Sequence, residues 1–188
     1  MTQRLGVLTL GASLVFAGSL LQLSSSAASA ARAIQARTCS ITRLSITVAS
    51  ASAAGGTEGM LIAFRNKSAT TYVLQGYPKV VATRSETSSL AIPSLNTYLG
   101  GLDPGLEPPL VRLEPGRTAS VVVAAGDNPR VLSSPCVNER YKAVTVSLPG
   151  QSGSKKLSAE LPREATSLPS CSRVDVTPFQ SGLTWFGN

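Results

Sequence analysis

The sequence predicts an all-β fold, an immunoglobulin-like antiparallel β-sandwich, behind an N-terminal signal peptide. Turn-forming Gly, Pro, Asn and Ser residues interrupt the chain roughly every ten residues, which is typical of sandwiches with many short strands. Between these interruptions, apolar and polar residues alternate with the period of two that a half-buried strand requires. No window after the N-terminal segment shows the 3.6-residue apolar period of an amphipathic helix.

Alternating apolar residues define the predicted strands one by one. The inward-facing sets are Leu44, Ile46 and Val48; Met60, Ile62 and Phe64; Val144, Val146 and Leu148; and Val174 and Val176. Shorter strand-like runs cover residues 72–74 and 79–83. The run 118–123 carries apolar residues in both alternating positions, so we expect this strand to be buried on both faces.

Turn residues mark the connections between these strands. Ala54-Gly55-Gly56 and Leu148-Pro149-Gly150 are predicted turns, and Glu114-Pro115-Gly116 fits a type II turn with glycine at the positive-φ position. The stretch from Ser85 to Pro109 contains four prolines and a Gly-Gly pair. It is predicted to be an irregular excursion with one short strand near Ser89–Ile92.

The N-terminal segment has the three parts of an export signal. Arg4 is followed by the mainly apolar run Leu5–Leu23 and then by Ala28-Ser29-Ala30, whose small residues suit a signal peptidase. We therefore expect cleavage after Ala30, a flexible segment over 31–38 and a single domain over 39–188. The product would be secreted or held at the cell envelope, with no stable membrane span after cleavage. The alternative is an uncleaved anchor, since a spanning helix needs about 20 apolar residues.

The charge pattern argues against nucleic-acid binding. The chain has 17 basic and 10 acidic residues, a net charge of +7, but the basic residues are scattered and do not form a stripe. Such a surface gives general solubility and, at most, weak attraction to anionic envelope polymers.

Residue composition also argues against catalysis. The chain has no histidine, so it lacks a Ser-His-Asp or Cys-His arrangement and histidine metal ligands. Its carboxylates are dispersed and do not suggest a paired-carboxylate site, and Glu139 and Arg140 are interpreted as surface charges. No glycine-rich loop precedes a helix, so a phosphate-binding loop is not expected. We predict no catalytic, cofactor-binding or metal-binding residues and no cofactor. Four Phe, four Tyr and one Trp are too few for a multi-ring stacking platform, and Trp185-Phe186 is expected to pack against the sandwich edge.

The order of several motifs resembles a known family. These motifs are a cysteine before the first strand, Ala53-Ala54-Gly55-Gly56, Leu61 to Asn66, Leu74-Gln75-Gly76-Tyr77-Pro78, the Pro115-Gly116 turn, Cys136, Cys171 and Val176-Thr177-Pro178-Phe179. Together they resemble the secreted actinobacterial proteins grouped as domain of unknown function 4232. The resemblance implies an immunoglobulin-type sandwich at the cell exterior and supplies no activity.

The three cysteines allow three single disulfides, and an exported chain meets an oxidising compartment. The resemblance implies that Cys136 pairs with Cys171. It also implies that Cys39 has lost its partner, because Tyr72 stands where family members often have a cysteine. Cys39 would then be free, buried or available for an intermolecular bridge, and we favour a free thiol.

Three hypotheses of function follow from these observations. The first is a non-catalytic binding or interaction module at the cell envelope, whose partner is an unknown protein or envelope polymer and whose binding loop is the 85–109 excursion. The alternative is a structural or surface-coating protein associated with the cell wall. An unrecognised hydrolase is the least favoured hypothesis, and the sequence does not indicate an oligomeric state.

Overall fold

A computed structural model describes residues 39–126, 140–160, 167–170 and 172–186. The export signal, its cleavage site at Ala30 and the segment 31–38 lie outside the described residues. So do both members of the implied Cys136–Cys171 disulfide. Within the described parts of the chain, no helix has the length and apolar character that a membrane crossing requires.

The described residues form β-strands and a single 3-10 turn at Ile41–Arg43. The strands are β1 (Leu44–Ala54), β2 (Thr57–Asn66), β3 (Tyr72–Leu74), β4 (Lys79–Arg84), β5 (Thr87–Leu90), β6 (Ile92–Pro93), β7 (Asn96–Thr97), β8 (Gly100–Gly101), β9 (Val111–Leu113), β10 (Thr118–Gly126), β11 (Ala143–Ser147), β12 (Lys155–Ser158), β13 (Val174–Val176) and β14 (Gln180–Ser181).

Two sheets make up the sandwich. The large sheet has the order β1-β2-β10-β13-β6, with β14 also pairing with β10, and the small sheet has the order β12-β11-β4-β5. Two further pairs, β3-β9 and β7-β8, flank them. The strands pair antiparallel except β6, which runs parallel to β13. The predicted all-β antiparallel sandwich is confirmed.

One hydrophobic core joins the inward faces of the two sheets. Ile62 and Phe64 of β2 and Val121 and Val123 of β10 belong to the same buried cluster as Val144 of β11. Phe64 meets Phe179 edge to face, with ring centroids 5.2 Å apart and planes at 81°. This geometry places the positive edge of one ring against the negative face of the other.

The outer face of the large sheet, which points away from the small sheet, is also covered. Leu61 of β2 and Val122 of β10 form a second cluster with Leu99, and Trp185 packs against it. The prediction that the strand at 118–123 is buried on both faces is therefore confirmed. The predicted packing of Trp185 is confirmed too, whereas the neighbouring Phe186 ring remains exposed.

The 85–109 excursion is more regular than predicted. It carries β5, β6, β7 and β8 where the sequence predicted one short strand. Two close approaches let it lie on the sheet. A Cβ on Gly59 would lie 2.7 Å from Leu99 Cδ1, and a Cβ on Gly100 would lie 1.6 Å from the Trp185 carbonyl oxygen. Glycine at both positions allows these two close approaches. The period of apolar residues in the sequence does not predict them.

The predicted turns are present. Gly116 has a φ of 74°, and the Arg117 N–H donates to the Glu114 carbonyl at 3.0 Å, as a type II turn requires. Asn66 is the last residue of β2 and the first residue of the Asn-x-Ser pattern Asn66-Lys67-Ser68. Its buried Nδ2 donates to the carbonyl oxygens of Thr70 and Leu113 at 2.7 and 3.0 Å. These bonds occupy the amide that a glycan would need, so the Asn-x-Ser pattern here has a structural role.

We expect Phe64→Ala to destabilise the domain by about 3–5 kcal/mol, because it removes a fully buried ring and leaves a cavity beside Phe179. Urea unfolding followed by circular dichroism measures the change. Leu90→Ala is the control, since Leu90 is exposed and should change stability by less than about 0.5 kcal/mol. Equal effects of the two variants would contradict the core described above.

Candidate functional site

A cleft of about 510 Å³ lies on the outer face of the large sheet, at the end where β1 turns into β2. We call it the Tyr98 cleft. Its lining comprises Thr57, Thr97, Tyr98, Ala124, Ala125, Gly126, Ser172, Arg173 and Asp175. The volume falls within the range of about 300–1,000 Å³ that is typical of ligand sites.

A tight hairpin presents Tyr98 to this cleft. Tyr98 and Leu99 form the two-residue turn between β7 and β8. The Thr97 hydroxyl supports the turn, donating to the Gly100 carbonyl and accepting from the Leu99 N–H, both at 3.2 Å. Leu99 is buried on the outer face of the sheet, so it anchors the turn while its neighbour Tyr98 is 68% exposed.

Gly55 fixes where the Tyr98 ring lies. A Cβ on Gly55 would lie 2.5 Å from Cε1 and Cζ of the ring, so the ring packs directly on the backbone of the β1–β2 turn. Gly55 also has a φ of 55°, in the region that favours glycine. The ring is therefore supported on one side while most of its surface remains in solvent.

Asp175 and Arg173 form the opposite wall of the cleft. Val174 and Val176 of β13 point into the core, so Asp175 between them projects to the outer face. Arg173 Nε lies 3.1 Å from Asp175 Oδ1, close enough for charge attraction. The pair nevertheless lacks hydrogen-bond geometry, and Oδ1 is a buried atom without a hydrogen-bond partner among the described residues. The Asp175 side chain as a whole is 21% exposed, so its carboxylate still presents hydrogen-bond acceptors to the cleft.

Small residues form the floor of the cleft, together with Ser172, whose contact with Gly126 we call the Ser172 clamp. Ala124 and Gly126 face outward here and leave room that larger side chains would fill. The Ser172 hydroxyl accepts from the Gly126 N–H at 2.7 Å and lies 3.1 Å from the Gly126 carbonyl oxygen. This contact ties the end of β10 to the segment that leads into β13.

An ion pair closes the same end of the sandwich on the inner side. Arg140 reaches Glu58 of β2 through two bonds, Nη1 to Oε2 at 2.5 Å and Nη2 to Oε1 at 2.9 Å. Arg140 Nη1 also donates to the Ser167 carbonyl at 2.5 Å. The assignment of Arg140 to a simple surface charge is thus wrong, because its partner Glu58 is buried and distant in sequence.

Arg140→Ala should cost roughly 2 kcal/mol, since it leaves the buried Glu58 carboxylate without its bidentate partner. Breaking this ion pair should cost less than breaking a fully buried one, because the Arg140 side chain is 42% exposed. Urea unfolding measures the change.

Arg112→Ala is the matched control for this comparison. Arg112 pairs with Glu114 at 3.6 Å on the surface, with both side chains about half exposed, and such pairs contribute about 0–1 kcal/mol. An Arg140→Ala effect no larger than that of Arg112→Ala would show that the bidentate pair does not hold this end of the sandwich.

Cys39 is buried in the core rather than placed on a mobile N-terminal segment. It is 3% exposed, is not part of a disulfide and lines a small cleft with Val73 and Leu74 of β3. Burial raises the pKa of its thiol from 9.0 to about 11. The thiol is thus protonated at neutral pH and shielded from oxidants and alkylating agents.

Between pH 9 and 11, we expect the chain to lose stability more steeply than its Cys39→Ala variant. In this window the unfolded thiol ionises while the buried one stays protonated, so unfolding releases a proton and is favoured as pH rises. Denaturant midpoints at several pH values measure the difference. Parallel pH profiles of the two proteins would contradict the burial of the thiol.

Thiol titration of the denatured, unreduced chain tests the free thiol separately. We expect one free thiol per chain, on Cys39, if Cys136 and Cys171 are paired. Finding none in a monomer would be incompatible with that assignment.

Sequence reasoning located the excursion that carries the cleft but not the cleft itself. The missed residues are Tyr98, Arg173 and Asp175; Tyr98 is far along the chain from the other two, and no motif links it to them. The sequence offers one signal for the cleft, the Gly55-Gly56 turn that can accommodate the ring of Tyr98. This signal indicates a contact only when the position of the β7–β8 hairpin is known. Among the described residues, no group of three or more His, Cys, Asp or Glu side chains is arranged to hold a metal ion.

Comparison with protein families gives one result. The family described as "Domain of unknown function (DUF4232)" matches residues 39–180. This span runs from the buried Cys39 to the start of β14 and includes every residue that lines the Tyr98 cleft. The chain has no match among curated proteins or among solved structures.

Proposed function

Because the chain belongs to the DUF4232 family, whose description names no activity, we propose a function from the geometry of the Tyr98 cleft. The protein is a non-catalytic binding module that acts at the cell envelope, and the Tyr98 cleft is its ligand site. The observation that carries this proposal is the exposed Tyr98 ring, held against Gly55 in a cleft that the Asp175 carboxylate and the Arg173 guanidinium also line.

The cleft has the features of a preformed binding site. Exposed aromatic side chains lose little conformational entropy on binding because they have only two rotatable bonds, and this ring is already packed on the backbone. An apolar surface with a few placed polar groups is typical of ligand sites. The buried Leu99 and the Ser172 clamp hold both walls in place without a ligand.

Two sequence features support a role at the cell envelope. The Arg4-to-Ala30 segment has the pattern of an export signal, and the mature domain would carry a net positive charge beside an envelope that is rich in anionic polymers. The scattered charge also gives the competing hypothesis, a surface-coating protein retained by electrostatics alone. Salt separates the two, because charge attraction is screened within about 3 Å at 1 M ionic strength.

Retention on isolated envelopes of the producing organism tests the proposal. Purified protein is mixed with envelopes at low salt and at about 1 M salt, and the bound fraction is measured after sedimentation. We expect retention to persist in strong salt and to fall about tenfold in Tyr98→Ala. The substitution removes an exposed ring, so circular dichroism should show an unchanged fold.

Phe186→Ala is the matched control, because Phe186 is also an exposed aromatic residue but does not line the cleft. It should be retained like the unaltered protein. If Tyr98→Ala and Phe186→Ala are retained equally, the cleft is not the binding site. If all retention disappears in strong salt, the surface-coating hypothesis is favoured instead. Tyr98→Ala is a sharper test than replacement of the whole 95–108 loop, because the loop replacement would also remove the buried side chains of Leu99 and Leu102.

A further inference from the structure

We infer that the Tyr98 cleft recognises a neutral hexopyranose, as a residue of a larger glycan, by stacking on Tyr98 and hydrogen bonding to Asp175 and Arg173. The inference rests on the proposed function, because it names the ligand class of the same cleft. A pyranose ring has an apolar face of C–H groups and an edge of hydroxyl groups, and the cleft offers one surface suited to each.

Tyr98 supplies the apolar surface. One side of its ring lies against Gly55, and the residue is 68% exposed, so a flat sugar face can cover the open side. Stacking on a ring buries apolar C–H surface at small entropic cost, because the ring is already held in position. The sequence argued against a platform of several rings, but one fixed ring beside hydrogen-bonding groups is sufficient for a single sugar.

Asp175 and Arg173 supply complementary hydrogen-bonding groups for neighbouring hydroxyls. The Asp175 side chain is 21% exposed, so its carboxylate can accept a hydrogen bond from one sugar O–H. The Arg173 guanidinium, 68% exposed, can donate to the oxygen of the adjacent hydroxyl. A hydroxyl group both donates and accepts, and two neighbouring hydroxyls therefore match a carboxylate and a guanidinium that lie 3.1 Å apart.

The charge balance of the cleft favours a neutral ligand. Within the described part of the chain, Arg173 and Asp175 are the two charged residues that line the cleft, and their charges cancel. A phosphate or carboxylate would gain from Arg173 but would be repelled by Asp175, whereas a neutral hydroxyl uses both. The hydroxyl of Thr57 adds an uncharged donor and acceptor to the cleft, whereas the hydroxyl of Thr97 is already engaged within the hairpin.

Binding to soluble glycans tests this inference. The probes are dextran, mannan and a β-1,4-galactan, whose residues are neutral hexopyranoses, with heparin as the acidic comparison, and affinity is measured by calorimetry on the purified protein. We expect binding to at least one neutral polymer and competition by its monosaccharide at millimolar concentration. Tyr98→Ala should weaken that binding about tenfold or more, while Tyr98→Phe, which keeps the ring, should stay within about threefold.

Three further variants separate the parts of the site. Asp175→Asn should weaken binding several-fold by removing the carboxylate, and Gly55→Ala should weaken it by displacing the ring. Phe186→Ala should bind like the unaltered protein. Failure of every neutral glycan to bind, binding to heparin alone, or binding unchanged in Tyr98→Ala would each overturn the inference.

The envelope assay distinguishes failure of this inference from failure of the proposed function. If retention on envelopes depends on Tyr98 but none of the neutral glycans competes, the cleft is a binding site for another class of ligand. If retention does not depend on Tyr98, the proposed function itself is wrong.

Discussion

The double-sided burial of β2 and β10 is the constraint on which the rest of the structure depends. Their inner faces pack against the small sheet, and their outer faces require a second apolar layer. The excursion and the C-terminal segment provide that layer through Leu99 and Trp185. Because Leu99 must be buried, the adjacent Tyr98 is placed at a fixed point on the edge of the sheet, and the candidate site is a consequence of this packing.

Glycine makes this outer layer possible. At Gly59, Gly100 and Gly55, the chain or a side chain approaches more closely than any Cβ would permit. Each of these contacts joins segments that are distant in sequence, so the same residue type that weakens a regular strand here permits an additional layer. The cleft retains its volume for the same reason, since the sheet beneath it ends in alanine and glycine.

Much of the fold was predictable from local patterns. The strands at 44–48, 60–66, 72–74 and 144–147 follow from alternation, and the turns at Gly55, Gly116 and Gly150 follow from the φ that each position requires. Strands β6, β7, β8 and β14 were not predictable, because two-residue strands have no period to detect and depend on contacts made after the sheet has formed. The ion pair of Arg140 was not predictable for a similar reason, because its partner Glu58 is 82 positions away along the chain. Tyr98 was not predictable as a site residue, because its position depends on its neighbour Leu99, whose burial follows from tertiary structure.

Trp185 is the single tryptophan of the chain, and it packs against the outer cluster rather than inside the main core. Its indole emission is therefore an intrinsic optical reporter of the layer that supports Tyr98, whereas far-ultraviolet dichroism reports on the sheets as a whole. The two signals follow different structural units of one molecule. Whether they change together under denaturant reveals if the hairpin and the sandwich form a single cooperative unit.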